Sequence, residues 1–404
     1  MEPNRIRTRR LFDVAIATVV AVVGLWMAEF YLRTLWSFGP DGMSLLSKRL
    51  AYWDFSNLWA GSRMALEGHV GSLFDVESYR AALRAMFSPG LPDQEWSYPP
   101  SILLLGVPLA ALPILPAYLI WTLGTVMCLW LAVRPLRLGG LAELAIVLSP
   151  AVIMDAIFGQ NGALTTALLI AGLHALPKRP VLAGVLFGLL TIKPHLGILV
   201  PFCLLASGNW RAMLAACGAT AVIVALTGVL FGFDVWPLFL TKTGPLMTAI
   251  MEAPFPQHYH SNAITVFFTA RAYGLGLAGA YGLQAIATIA AIVAALWLWW
   301  PGREVEHRER VVLTAVLAIL ATPYGYTYDT VSVAVAVAML ATMVSRPPRV
   351  MLAICWLYAF VAHILNNAGV YVGVLVPLFL AAWMLFSVWA RSRRPEMPPV
   401  LSAA

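Results

Sequence analysis

Four stretches of the chain, Leu11 to Leu35, Ala212 to Phe231, Leu275 to Trp300 and Val370 to Ala390, each run for about the 20 residues that a helix needs to cross a bilayer, with few or no interior charges. A water-soluble fold has no interior deep enough for so many such segments. The composition points the same way, since 61% of the 404 residues are hydrophobic and only 11% are charged, far from the balance of a soluble domain. The fold class expected is an all-α integral membrane protein. The first apolar run is too long for the core of a secretion signal and no small-residue cleavage pattern follows it, so it is expected to stay as an uncleaved first helix.

The formal net charge is +7, and the basic residues gather in Arg5 to Arg10, Lys178 to Arg179, Arg303 to Arg310, Arg346 to Arg349 and Arg391 to Arg394. These are short turns and tails, and the positive-inside rule places them, with both termini, on the cytoplasmic side of a cell inner membrane. No basic cluster is interleaved with aromatics on a soluble domain, so nucleic acid is not an expected partner. Cys128, Cys203, Cys217 and Cys355 sit inside apolar runs without metal-ligand spacing and read as packing residues. Trp297, Trp299 and Trp300 read as interfacial belt residues.

The expected organisation is a single membrane domain, 1–404, with cytoplasmic tails at 1–10 and 391–404 and one large outer loop at 38–97. Inside that loop, Tyr52 to Leu66 carries apolar residues at helical spacing and predicts an amphipathic helix lying on the membrane surface. Val76 to Phe87 predicts a second helix, with Asp75 as its N-cap. Tyr98-Pro99-Pro100 then opens a new apolar segment, where proline is harmless because first-turn amides lack helical partners. Further on, polar breaks at Gly159-Gln160-Asn161-Gly162, Lys193-Pro194-His195, His258 to Asn262, Thr322 to Asp329 and Asn366-Asn367 alternate with the basic turns.

The two arms flanking Lys193-Pro194 have about a dozen residues each, roughly 18 Å of helix, too short to span unaided. Such broken helices occur where they line a cavity or are buried in protein. A water-filled pocket in the outer half of the membrane is therefore expected. About 9 to 12 transmembrane or half-spanning segments are predicted. Between residues 98 and 176 the parity fails, because either Arg134 and Arg137 or Gln160 and Asn161 fall on the wrong side unless one segment is a half-span.

Asp54, flanked by Trp53 and Phe55, is the candidate general base, since partial desolvation raises a carboxylate's pKa toward the useful range; its plainer reading is a solvated or capping residue. Lys193 lies between apolar half-helices and suits an anionic phosphate, against the plainer reading of a side chain snorkelling to the interface. His195, His258 and His260 are candidates to donate to the same phosphate; their spacing is a weak metal signal, so no metal or other cofactor is expected, although a divalent ion stays open. Gln160 and Asn161, with Asn57 and Tyr98, are candidates for sugar or acceptor hydroxyls, the alternative for the glycine-flanked pair being a simple helix-end turn. Tyr328 and Asp329 join this set, and Asp329, at the head of an apolar run, requires a partner.

The run Asp54-Phe55-x-x-x-Trp59-Ala60, followed by Ala65-Leu66-x-Gly68, Leu73-Phe74-Asp75, Tyr98-Pro99-Pro100, Gly159-Gln160-Asn161-Gly162 and Lys193-Pro194, resembles glycosyltransferase family 87, polyprenyl-phosphate-mannose-dependent mannosyltransferases of the GT-C superfamily. The resemblance implies a GT-C fold with the catalytic aspartate, here Asp54, on the first outer loop. It also implies a polyprenyl-phosphate sugar donor, a lipid or glycan acceptor, and inverting transfer of a hexose, mannose above all, at the outer face. The chain departs from the pattern at Thr322 to Asp329, where family members often carry Ser-Pro-x-Ser-Trp-x-His-His; Tyr328 and Asp329 replace both histidines. Two other classes fit many helices with polar breaks: a transporter of a small or lipid-linked solute, for which no inverted repeat is visible, and a polysaccharide polymerase or ligase, whose large loop usually comes later.

Overall fold

The computed structural model describes residues 3–343 and 348–392. The expected basic residues Arg346, Arg393 and Arg394, and the tail beyond Ser392, lie outside the described residues, as do the side chains of Arg5 to Arg10. Among the described residues there is no strand, only two isolated bridges, Phe38 with Ser44 and Ala263 with Tyr326.

The helices in chain order are α1 (Pro3–Trp36), α2 (Trp53–Leu66), α3 (Val76–Met86), α4 (Leu103–Ala110), α5 (Ile114–Val133), α6 (Gly140–Val147), α7 (Pro150–Phe158), α8 (Gly162–Ala175), α9 (Pro180–Leu189) and α10 (Val200–Ala206). They continue with α11 (Trp210–Phe231), α12 (Val235–Leu238), α13 (Gly244–Glu252), α14 (Val266–Ala272), α15 (Leu277–Trp299), α16 (His307–Ala321), α17 (Val331–Met343), α18 (Arg349–Trp356), α19 (Tyr358–Asn367) and α20 (Leu375–Ser392). Five segments are long and apolar enough to cross a membrane: Ala17–Trp36, Ile114–Leu136, Trp210–Phe231, Leu277–Trp299 and Leu375–Ser392. Two further spans are broken, α6 with α7 at 41° and α18 with α19 at 61°. The remaining apolar helices are short, including the arms Pro180–Ile192 and Pro194–Ala206 on either side of Lys193. The protein is thus an all-α, multi-pass membrane protein, with whole, broken and half-length helices.

The basic turns meet at one end of the bundle. His307 Nε2 lies 3.0 Å from the His174 carbonyl, Asn209 donates to the Leu176 carbonyl at 3.2 Å, and Arg391 pairs with Glu309 at 2.6 Å. The parity problem resolves at α4. Trp59 Nε1 donates to the Leu112 carbonyl and Arg63 to that of Ala110, so the short helix stays beside α2 and does not cross. Helix α5 then runs from Tyr118 and Trp121, which bond to carbonyls of the Ala156 to Gln160 turn, down to Arg134. Arg134 and Gln160 therefore sit at opposite ends, and the half-span is α4.

Two expectations from the sequence change. Helix α2 does not lie on a surface: Phe55, Ser56, Asn57, Leu58, Ala60, Gly61, Ser62, Met64 and Ala65 are all buried. Its small residues let α4 pack tightly on its other face, so amphipathic spacing marked a two-sided contact. Trp299 is not a belt residue either, being 3% exposed with its indole donating to Thr314 Oγ1 at 2.9 Å. Helix α3, by contrast, starts as read, with Asp75 accepting from the Ser78 amide at 2.8 Å.

Lipid-embedded helices associate by close packing rather than by the hydrophobic effect, which favours small residues where backbones approach. Helices α9 and α11 show this: a Cβ added at Gly184 would lie 2.3 Å from the Ala212 carbonyl oxygen and 2.5 Å from Ala215 Cβ. Neither neighbour is a flexible side chain that can swing away. Gly184→Val is expected to destabilise the purified protein by about 1–3 kcal/mol, the usual cost of overpacking, read as a lowered thermal midpoint in detergent. An unchanged midpoint would contradict this packing.

Candidate active site

At the end opposite the basic turns, a cavity of about 460 Å³ opens between α2, the 93–99 segment, the broken helices and α13. That size falls within the roughly 300–1,000 Å³ of small-molecule sites. Its polar wall is built from Arg49, Asp54, Tyr98, Gln160, Asn161, Lys193 and His195, and Tyr324, Tyr326 and Tyr328 line it as well. Phe239, Met247 and Met251 supply an apolar wall.

Asp54 sits in the first turn of α2, where the helix dipole favours a negative charge. Burial nevertheless dominates and pushes its pKa up to about 6, while a hydrogen bond from the Gln160 side chain and the charges of Arg49 and Lys193 pull the other way. The Arg49 guanidinium lies over the Trp53 ring, 5.1 Å from its centroid, which keeps that charge beside the carboxylate. Tyr98 donates to the Asp54 carbonyl at 3.3 Å, tying the start of the next apolar segment to α2. The result is a carboxylate that faces a cavity, is ionised at neutral pH, and is basic enough to accept a proton.

The Gly159-Gln160-Asn161-Gly162 turn joins α7 to α8. Gly159 has φ +69°, a left-handed conformation that glycine adopts at no steric cost, and a Cβ at Gly162 would stand 2.0 Å from the Tyr328 carbonyl oxygen. The turn therefore presses against the Thr327–Asp329 turn, bringing two distant polar breaks into one wall. Asn161 is 2% exposed and its Oδ1 has no partner among the described residues. It is a buried acceptor with capacity for one more hydrogen bond.

Lys193 marks the break between the two short arms, with its ammonium bonded to the Asp329 carboxylate. The other Asp329 oxygen accepts from the Tyr326 amide at 3.1 Å, and the Tyr328 ring lies 5.3 Å from the Lys193 nitrogen. Asp329 thus has the partner it required, and its charge is paired with that of the lysine. His195 packs edge-on against Tyr324, and its Nε2 is buried without a partner among the described residues.

The other sequence candidates are placed differently. His258 and His260 do not line the cavity. His260 is fully buried, stacked on Phe255 at 3.6 Å, and its Nδ1 accepts from the Gln257 amide. Asn57 reaches the cavity but is already engaged, donating to the Glu95 carbonyl at 2.9 Å and accepting from the Tyr79 hydroxyl. Two residues escaped the sequence reading: Arg49 and the buried Asp155. Arg49 lay four residues before Trp53, outside the helix pattern, and Asp155 lay inside an apolar run, where a lone carboxylate was itself the signal. Among the described residues no three His, Cys, Asp or Glu side chains cluster as a metal site.

Breaking a buried ion pair leaves one charge stranded, at a cost of about 3–5 kcal/mol, whereas replacing both partners with apolar groups is far milder. Lys193→Met is therefore expected to lower the thermal midpoint sharply, and Lys193→Met with Asp329→Leu to recover most of the loss. Equal midpoints for the single and double variants would show that the pair is not coupled.

A family model described as glycosyltransferase family 87 matches residues 96–323, which include the glycine-flanked turn and Lys193-Pro194 but not α2. No match was found among curated proteins or among solved structures. The match spans more than half of the 404 residues, and the chain belongs to glycosyltransferase family 87 as a multi-pass membrane glycosyltransferase.

Proposed function

We propose that the protein transfers a hexose, mannose first among candidates, from a polyprenyl-phosphate donor to a hydroxyl of a lipid or glycan acceptor. The observation that carries this reading is the Asp54 carboxylate lining a cavity together with Lys193 and His195, with burial raising its pKa to about 6. In the step proposed, Asp54 takes the proton of the acceptor hydroxyl, whose oxygen attacks the anomeric carbon. The bond to the phosphate oxygen breaks with inversion, and the electron pair leaves on the polyprenyl phosphate. Arg49, Lys193 and the His195 ring supply charge and hydrogen bonds to that phosphate. Gln160, Asn161 and the tyrosines supply contacts to the sugar. The apolar wall of Phe239, Met247 and Met251 suits the first isoprene units, and a lipid-borne donor matches a site set among membrane helices.

The same reading places the cavity on the outer face of a cytoplasmic membrane and both termini inside, because the basic turns gather at the opposite end. The residue set for phosphate binding is narrower than the sequence implied, since His258 and His260 lie elsewhere. No metal or nucleotide enters the proposed step.

The test uses the purified full chain in lipid nanodiscs with polyprenyl-phosphate mannose, glucose or galactose, following release of the sugar to water or to added acceptors. One donor is expected to turn over, and Asp54→Asn to reduce its rate by about 10³-fold with the protein still folded. No release from any polyprenyl-phosphate sugar, or undiminished turnover by Asp54→Asn, would overturn the reading. The pH dependence follows from the raised pKa. The base works only when deprotonated, so kcat/KM is expected to be level above pH 6 and to fall about tenfold per unit below it. A profile flat down to pH 4.5 would exclude a base of this kind.

A further inference from the structure

Asp155 is the buried carboxylate that the proposed step leaves unused. It lies on α7 within a broken membrane span, is 1% exposed, and has no cation within ion-pair distance among the described residues. Placing a carboxylate there costs stability unless its hydrogen bonds repay it. Both oxygens are occupied by backbone amides of the next helix: Oδ1 accepts from Gly162 at 2.6 Å and Oδ2 from Ala163 at 3.2 Å. These are first-turn amides of α8, which have no intrahelical partner. The same aspartate's carbonyl accepts from the Gln160 amide at 2.9 Å.

The Asp155 side chain therefore holds the far end of the glycine-flanked turn, and its backbone carbonyl closes the near end as at any glycine-terminated helix. Trp121 holds it from a third side, its indole shared between the Gly159 and Gln160 carbonyls at 3.1 and 3.0 Å. The turn so held carries Gln160, which lines the cavity with Asp54 and whose side chain hydrogen-bonds to that carboxylate.

We infer that Asp155 is a positioning residue for the transfer step: it clamps the Gln160 turn so that the Gln160 amide stays bonded to the Asp54 carboxylate. This rests on the reading of Asp54 as the base. Losing the Gln160 donor removes a bond to the charged form and makes Asp54 easier to protonate. The remaining groups facing it, Arg49, Lys193, Tyr98, Tyr324, Tyr328 and Asp329, are untouched by the change.

The experiment compares kcat/KM against pH for the full-length wild type, Gln160→Leu, Asp155→Asn and the double variant. Gln160→Leu is expected to move the acid limb upward by about one pH unit, the worth of one hydrogen bond to a charged group. Asp155→Asn is expected to produce a similar shift, and the double variant no further shift, because both act on one bond. An acid limb unmoved by Gln160→Leu overturns the inference, even if Asp155→Asn fails to accumulate. So does an Asp155→Asn variant that loses rate at every pH alike, or whose shift adds to that of Gln160→Leu. If instead Asp54→Asn keeps wild-type turnover, the base assignment has failed, and that result is separate from any shift.

Discussion

Backbone that stops being helical within a membrane protein has lost its hydrogen bonds and cannot recover them from lipid. This constraint organises the molecule. The chain breaks at Gly159 to Gly162, at Lys193 and at Thr327 to Asp329, and each break finds its partners in another one or in a side chain beside it. Asp155 and Trp121 satisfy the first, the Tyr328 carbonyl packs on Gly162, and Asp329 joins the third break to the second through Lys193. Three breaks that would each be costly alone become one wall of a cavity, and polar groups are concentrated where the bilayer would otherwise exclude them.

The ion pair within that wall has a chemical consequence. The Lys193 charge favours the ionised form of Asp54, less strongly than burial opposes it. With Asp329 bonded to the ammonium, the lysine's influence on Asp54 is opposed by a charge of the other sign. Asp329 therefore acts on the electrostatics of Asp54, while the lysine remains beside the cavity.

Much of this was legible in the chain. The apolar runs fixed the class, because length without charge has few other meanings, and the arms around Lys193-Pro194 were visibly too short to cross, which pointed to a cavity. Asp54, Gln160, Asn161 and Lys193 were each marked by polarity in apolar surroundings. Two things resisted a reading by local pattern. Burial of α2 on both faces depends on α4, some fifty residues away, and the periodicity of Tyr52 to Leu66 carries no record of that partner. The histidines of the 258–260 turn were polar in the right kind of place, yet whether a ring faces a cavity or stacks on Phe255 is decided by tertiary contacts.

The family match begins at Trp96, beyond α2, so the case for Asp54 stands on geometry more than on kinship. That geometry sets a narrow condition. A base for a hydroxyl must be deprotonated at neutral pH and still hold a proton firmly once it has taken one. Full exposure would leave Asp54 too acidic, and burial without donors would leave it protonated. Burial against the flanking aromatics raises its pKa, and the Gln160 bond and the Arg49 charge stop the rise near 6. Each of these opposing terms comes from a different segment: α2, the glycine-flanked turn, and the loop before Leu50. The carboxylate acquires this balance only when the chain has folded around it, because no one of these segments sets it alone.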